Sequence, residues 1–499
     1  MVAVFNKEHL SWYLITLKLK ETVETNLPTP KPINPEPESE PEPANLPPPP
    51  PLPQSPWFIS VLEKLEVARE YEASTPWTNL SIYHVPKSLR DVDVSAYAPH
   101  VVSLGPYHHG RRRLRGMETH KWRALHRALS RHSADVRPFL DAALALEPLA
   151  RSCYESPLHL PPSALAESLL LDSVFVLELL RGAAGEGFSS LGYAPNDPVF
   201  AFRGTMHSLQ CDMIMLENQI PLFVLDRFLA LQLGQDSSLS SRVVPLALRF
   251  FEPLMPTDEP LHPSAPFDPL SQAGGLHCLD VFRRKLLQNE GPHPAPRPWI
   301  RRRWSHTRPV ADKRRLQLVH CVSELREAGI KFRRRKTGHF WDIRFKGGIL
   351  WIPRLLIHDG TKSLFLNLIA FEQCHLDCSN HITSYAIFMD NLINSEEDVR
   401  YLHYCGIFEH WLGNDSEVAA LFNRLCQEVV FDINCSYLSE LSEKVNRYYN
   451  HRWNTWRASL THRYFSNPWA IVSLVAAVVL LLLTLAQTFY GVYGYYRPN

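Results

Sequence analysis

The chain has 499 residues, of which 45% are hydrophobic, and its formal net charge is +1. This length allows roughly two to four ordinary domains, or one large domain with insertions, and the near-neutral charge excludes a general demand for nucleic acid or an acidic partner. Nine scattered cysteines without a CxxC pair argue against a disulfide framework or a zinc ribbon, and they suit a reducing compartment.

Prolines divide the chain into segments. Residues 1–27 are predicted to be a short helical segment, and residues 28–56, which hold 14 prolines, a polyproline II linker. Residues 57–465 are predicted to form one large helical domain. Within it, the Pro-rich stretch 252–310 shows no sustained period and is expected to be a partly disordered insertion.

The segment VVSLGPYHHG, residues 101–110, follows the first helical pattern of this domain. Histidines beside tight turns serve as metal ligands, acid/base catalysts or structural residues. Because Gly105 and Gly110 mark turns, His108 and His109 are expected on a short rigid loop that could form a binding edge as readily as a catalytic site.

Three helical patterns come next. Residues 117–131 predict a helix with Trp122 on its apolar face and with Glu118 placed to pair with Lys121. Residues 161–182 are apolar nearly all round, which is typical of a helix in the centre of a fold. Residues 205–233 predict two helices joined at Gln219-Ile220-Pro221.

The C-terminal half contains the one convincing β pattern. Residues 330–358 alternate in polarity, and Gly347-Gly348 is suited to the turn of a hairpin, which predicts one small antiparallel hairpin or sheet. Helical patterns return after it, with a capping signature from Ser395 to Asp398. The predicted fold class is therefore α+β, predominantly α-helical.

The end of the chain predicts a single transmembrane helix over residues 469–490, followed by a short tail at 491–499. No charged residue occurs from 466 to 496, and the apolar run is long enough for a bilayer core of about 30 Å. Trp469 and Tyr490 stand at its two ends as interfacial anchors. Because arginines are concentrated upstream, the bulk of the chain is expected in the cytosol, at the plasma membrane or an endomembrane, with the opposite topology as the alternative.

A group of polar residues lies in apolar surroundings and forms the candidate site. Its members are His108, His109, Glu118, Asp172, Glu217, Asn218, Gln219, Glu372 and Gln373. Brought together, such groups could perform acid/base chemistry; alternatively, they could form a buried hydrogen-bonded network that fixes helix packing. No nucleophile elbow, P-loop, dinucleotide motif or HExxH motif is present, so no catalytic residue is assigned.

No metal or cofactor is predicted. The nearest motif, Cys374-His375-x2-Cys378, lacks a second ligand pair. Basic segments at 111–115 and 297–315 are read as solvated loops, or as sites for anionic lipid head groups, rather than as nucleic-acid sites.

Several motifs occur together in one order: VVSLGPYHHG, METHKWRALHRAL, SLLLDSVFVLELL, DMIMLENQIPLFVL, AGIKF, LFLNLIAFEQC, HWLGND and the terminal apolar span. Over residues 78–496 the chain resembles the plant family named domain of unknown function 247. The resemblance implies a plant membrane protein with a C-terminal span, and the N-terminal residues resemble grass members. Some grass members act as pollen-side determinants of self-incompatibility.

The sequence therefore predicts a membrane-anchored component of protein recognition or signalling. The lipid bilayer and a protein are its expected partners. The alternative is a membrane-bound enzyme that uses the His/carboxylate group in an unknown reaction.

Overall fold

The computed structural model describes residues 56–74, 77–131, 134–234, 242–258, 276–287, 318–431, 436–450 and 468–496. The chain divides into two compact units, residues 1–71 and 72–499. The predicted N-terminal segment at 1–27 lies outside the described residues, as does the linker at 28–56 apart from its last proline. Helix α1 runs from Pro56 to Ser74, and its residues up to Tyr71 belong to the first unit. It begins where helical periodicity starts in the sequence.

The second unit is mostly helical with a few short strands, so the α+β class is confirmed. Its described α-helices are α2 Lys87–Val92, α3 Arg115–Arg131, α4 Arg137–Ser152, α5 Pro162–Arg181, α6 Arg203–Met213, α7 Leu222–Leu233, α8 Val243–Phe250, α9 Cys278–Leu286, α10 Val322–Glu327, α11 Thr361–Cys374, α12 His381–Leu392, α13 Glu396–Tyr404, α14 Asp415–Leu425, α15 Ser439–Tyr449 and α16 Pro468–Tyr496. Short 3-10 helices lie at Trp77–Asn79, Val94–Tyr97, Arg112–Leu114 and Glu252–Leu254.

Helix α5 lies at the centre of the N-terminal half. Every residue from Ser168 to Arg181 is buried, as the uniformly apolar sequence predicts. The helix packs against α3, α4, α7 and α8. Buried polar side chains on α5, above all Asp172 and Glu178, therefore need partners from neighbouring elements.

Helix α3 confirms one part of its prediction and corrects another. Lys121 pairs with Glu118, as their spacing predicts. Trp122, however, is about half exposed, and the buried face is formed by Met117, Lys121, Ala124, Leu125 and Ala128. Lys121 takes a core position because its ammonium group pairs with the side chain of Asp172 on α5.

The predicted antiparallel sheet is present in part and is larger than expected. The strands are β1 Lys331–Arg335, β2 Arg344–Lys346, β3 Ile349–Pro353, β4 Leu355–Ile357 and β5 Phe408–His410. Strands β2 and β3 form the hairpin around Gly347 and Gly348, both with positive φ. Strand β1 pairs with β3 in parallel, and β4 pairs in parallel with β5 in a second sheet. The purely antiparallel prediction is wrong because parallel partners come from distant segments, which alternation cannot identify.

Two further elements position side chains discussed below. Helix α9 lies inside the Pro-rich stretch 252–310, and its residues Leu279, Phe282 and Leu286 are buried. Helix α13 begins with the predicted capping box, in which Ser395 and Asp398 exchange side-chain and backbone hydrogen bonds.

The last helix, α16, spans 29 residues and covers the predicted membrane span. Its valines and leucines are largely exposed wherever their side chains are described. Counted over the residues that the structure describes with their side chains, no helix of the chain is long and apolar enough to cross a membrane.

Candidate functional site

The segment from residue 100 to residue 110, hereafter loop 100–110, is held by buried side chains. Asp212, at the end of α6, accepts backbone hydrogen bonds from His100, Val101 and Val102 at 2.9, 2.7 and 2.9 Å. Because this stretch joins neither sheet, its buried N–H groups would otherwise lack partners. One carboxylate thus replaces the neighbouring strand that such an extended segment ordinarily requires.

Asn218 and Gln219 continue this support from the turn between α6 and α7. The Asn218 side chain accepts from the Leu104 amide at 2.7 Å and donates to the Val102 carbonyl at 3.1 Å. Gln219 binds local carbonyls through its amide nitrogen and accepts from the Leu279 amide of α9 at 3.1 Å. Both side chains are buried and committed to main-chain partners, which is the behaviour of a structural network.

A buried ion pair fixes the middle of the loop. The Lys121 ammonium lies 2.6 Å from the Asp172 carboxylate and 2.7 Å from Glu118, and it also donates to the Ser103 carbonyl. The other oxygen of Asp172 accepts from the Gly105 amide at 2.9 Å. Burial alone would lower the pKa of Lys121, but the Asp172 carboxylate holds it above its ordinary value.

Gly105 is required by close packing as well as by conformation. Its φ is +66°, and a Cβ atom there would lie 2.7 Å from the Gln219 carbonyl oxygen and 2.9 Å from the Tyr154 hydroxyl. That hydroxyl donates to the same Gln219 carbonyl at 3.0 Å. A larger residue would therefore push the loop away from its anchors.

Beyond this anchored stretch, the structure brings His108 and Glu217 together. The His108 Nε2 atom lies 3.7 Å from Glu217, and neither ring nitrogen of His108 has a hydrogen-bond partner among the described residues. Glu217 accepts hydrogen bonds from the Val85 amide and from Arg90, and His84 lies 3.4 Å away. His108 is fully buried, while Arg90 and His84 reach solvent.

The two groups are shifted in ways that oppose acid/base catalysis near neutral pH. Burial, reinforced by the charge of Arg111, lowers the pKa of His108 to about 4. Burial alone would raise the pKa of the Glu217 carboxyl, but hydrogen bonds from His84 and Val85 and the charge of Arg90 hold it below its ordinary value. A neutral histidine thus faces an ionised carboxylate. Because a general base is most effective when its pKa lies near the working pH, these two shifts away from neutrality make the pair poorly suited to acid/base catalysis.

The far end of the loop reaches the surface. His109 is exposed and is not part of the buried network, and Arg111, Arg112 and Arg113 are exposed after it. The Arg113 guanidinium donates to the Pro99 carbonyl at 2.6 Å and ties this basic stretch to the start of the loop.

Glu372 belongs to a different network. It forms a buried ion pair with Arg283 of α9 at 2.8 Å and accepts from the Ile382 and Thr383 amides at the start of α12. Arg283 also donates to the Ser379 side chain. This carboxylate therefore caps α12 and ties it to α9; its observed partners are not those of Glu217.

The residues of the cysteine motif at 374–378 do not belong to the three-ligand group that the described part of the chain brings together. His375 Nδ1 bonds to the Tyr83 hydroxyl at 2.8 Å. Burial raises the pKa values of the Cys374 and Cys378 thiols to about 12.

Asp172, Glu217, Asn218 and Gln219 were predicted from the sequence to lie in a polar group, whereas Asp212 and Arg90 were not. Asp212 lies inside a helical pattern, where a polar residue usually faces solvent. A weak signal was present, since Asp212, Glu217, Asn218 and Gln219 crowd a short segment between two apolar helices.

Comparison with known proteins matches nearly the whole second unit. The family model DUF247, described as a plant protein of unknown function, matches residues 82–483. A UPF0481 protein of Arabidopsis thaliana is 32% identical over 83% of this chain and 86% of its own length. A putative UPF0481 protein of the same plant is 24% identical over 87% of this chain and 94% of its own length. No solved structure matches.

Proposed function

The chain belongs to the DUF247 family of plant proteins, and from this premise we propose that it is a membrane-anchored component of protein recognition. One observation carries the proposal: Lys121, Asp172, Asp212 and Asn218 direct their polar groups to the backbone of loop 100–110. Groups committed in this way position a segment of chain, and they are not free to transfer protons to a substrate.

The anchored loop ends in a positively charged surface segment, His109 to Arg113, hereafter the basic edge. The exposed residues from His109 to Arg113 follow directly on the anchored stretch. A preorganised loop loses little conformational entropy when a partner binds, which favours recognition. The partner whose charge complements this positive edge is a protein with an acidic surface. Anionic lipid head groups, which are also negatively charged, are a further partner.

The membrane anchor is proposed for the C-terminal helix. Residues 466–496 carry no charged side chain, and helix α16 contains a continuous run of exposed valines and leucines. A helix of 29 residues rises about 43 Å, more than the hydrocarbon thickness of a bilayer. The excess of arginines before the span favours a cytosolic body at the plasma membrane or an endomembrane.

More specifically, the recognition that we propose takes place in pollen self-incompatibility. This part of the proposal rests on the resemblance to grass family members. It requires the chain in pollen and a partner there.

Expression of the full chain in plant cells tests the membrane anchor and its topology. The chain should remain with membranes after alkaline carbonate washing, and external protease should digest its body in sealed vesicles. Release by carbonate would contradict the anchor, and protection of the body would reverse the topology.

Proximity labelling in reproductive tissue tests recognition. The double variant Arg111→Glu/Arg112→Glu should lose specific neighbours that the wild-type chain labels, while Lys346→Glu, an exposed charge reversal on β2, should retain them. An unchanged set of neighbours in the double variant would refute a role for the basic edge.

A second candidate, a membrane-bound enzyme of unknown reaction, is favoured by the unpartnered His108 ring facing Glu217. Catalysis would require that ring to be reachable. Acylation of histidines by diethyl pyrocarbonate, located by fragment mass spectrometry, separates the candidates: slow modification of His108 relative to exposed His109 supports the scaffold, and equal rates support the enzyme.

A further inference from the structure

The motif HWLGND, residues 410–415, brings a second polar cluster together, away from loop 100–110. His403 lies in the last turn of helix α13, His410 ends strand β5, and Asp415 begins helix α14. One ligand atom of each residue lies within 4.8 Å of the other two. We propose that His403, His410 and Asp415 bind one divalent transition-metal ion, and that zinc suits this donor set best.

The backbone around the cluster is fixed by local chemistry. The Gly406 backbone, with φ of +69°, reverses the chain after α13. The pairing of β5 with β4 then sets His410 opposite Ile357, and the Trp411 amide extends that pairing to the Ile357 carbonyl at 2.9 Å. Asn414 caps α14 by accepting from the Glu417 amide, and the neighbouring Asp415 carboxylate contacts the His410 and Arg400 side chains instead. A site carried on regular elements is well preorganised.

The contacts inside the cluster point to a ligand. His410 Nε2 lies 2.9 Å from Asp415 Oδ1, and the His403 and His410 rings stand at 87° with centroids 5.5 Å apart. The His410 side chain is only 9% exposed, yet its Nδ1 atom has no hydrogen-bond partner in the described part of the chain. Buried imidazole nitrogens ordinarily find a partner.

The donor types select the class of ion. Two imidazoles and one carboxylate suit zinc and its transition-metal neighbours, whereas magnesium and calcium prefer oxygen donors alone. Ligand atoms bound to one zinc ion lie about 3.3 Å apart, given metal–nitrogen distances of about 2.0–2.1 Å. Side-chain rotations would close the present separations, and because His403 is exposed, water can complete the coordination.

One neighbouring charge opposes the ion. The Arg400 Nε atom lies 3.4 Å from Asp415 Oδ2, but the Arg400 side chain is 64% exposed and also contacts Glu396. A solvent-exposed arginine can move aside when a cation binds, at a cost in affinity. Removing its charge should therefore strengthen metal binding.

The test uses the full chain in detergent, without a histidine tag, titrated with zinc against a competing chromophoric chelator. We expect one bound ion that is weakened in His403→Ala, His410→Gln and Asp415→Asn. Loss of a residue that only hydrogen-bonds to a metal ligand typically weakens metal binding by about 10- to 100-fold, so loss of a ligand itself should cost at least about that factor.

The matched control is His320→Ala. His320 forms an exposed pair with Glu324 at 2.8 Å and belongs to no three-ligand group among the described residues. This variant should bind zinc like the wild type, and Arg400→Gln should bind it more tightly. Circular dichroism confirms that each variant is folded, and the visible spectrum of bound cobalt reports whether imidazole ligands are lost. If the three ligand variants, still folded, bind zinc and cobalt as His320→Ala does, the proposal is wrong.

Discussion

The Lys121 ammonium lies 2.6 Å from the Asp172 carboxylate, with both side chains buried between α3 and α5. Both side chains also bind the backbone of loop 100–110: Lys121 donates to the Ser103 carbonyl, and Asp172 accepts from the Gly105 amide. Helix packing and loop position are therefore linked through one pair of charges.

Replacement of Lys121 by methionine should destabilise the protein severely. The change leaves Asp172 buried without its cation, and breaking one side of a buried pair typically costs about 3–5 kcal/mol. Urea unfolding of the full chain in detergent, followed by tryptophan fluorescence, measures the loss. Lys87→Met, at an exposed lysine of α2, is the control and should unfold near the wild-type midpoint; equal midpoints for both variants would contradict the role given to Lys121.

Replacement of Asp212 by asparagine should weaken the start of loop 100–110. Asparagine offers one acceptor oxygen in place of the two that serve the amides of His100, Val101 and Val102. An unsatisfied buried group costs about 1–3 kcal/mol. Hydrogen exchange at these three amides should accelerate, whereas Asp91→Asn, at an exposed position, should leave their protection unchanged. Unaltered protection in Asp212→Asn would show that other groups hold the loop.

Alanine at the two glycines of the loop should have unequal effects. Both have positive φ, which costs about 1–2 kcal/mol for a residue with a Cβ atom. A Cβ at Gly105 would also strike the Gln219 carbonyl, while a Cβ at Gly110 meets nothing within 4 Å. Thermal unfolding should place Gly105→Ala well below Gly110→Ala. The close-packing argument fails if the two variants melt together.

Acid should destabilise the fold partly through His108. Its pKa is about 4 in the folded chain, because of burial and nearby arginines, against an ordinary value of 6.5. Between pH 6.5 and 4 the unfolded chain binds a proton that the folded chain excludes, so stability is full above this window and falls as the pH drops through it.

The free energy of unfolding at pH 7.5 and at pH 5 provides the measurement. His108→Gln should lose less stability over this interval than the wild type, and the exposed His109→Gln should lose as much as the wild type. Some loss should remain in His108→Gln, because burial also lowers the pKa of His277 to about 4. An identical loss in His108→Gln and wild type would exclude His108 as a contributor.

Much of the fold follows from local pattern. The uniformly apolar residues of 161–182 identify α5 and its central place, because a helix apolar on every side must be buried. Likewise, Ser395 and Asp398 identify the start of α13, and Gly347-Gly348 identifies the β2–β3 hairpin. Each of these signals lies within one element, where spacing alone decides the outcome.

The amino-acid sequence by itself determined the predominantly helical class, the hairpin and some of the polar residues that are buried, such as Glu217, Asn218 and Glu372. Tertiary structure alone decided which partners the buried polar groups find: Asp212 meets amides 110 or more positions away, and Glu372 meets Arg283, which lies 89 positions away. The reason is physical. A buried polar group must find a partner, which burial predicts, but which partner it finds depends on how distant segments pack, and no local spacing encodes that.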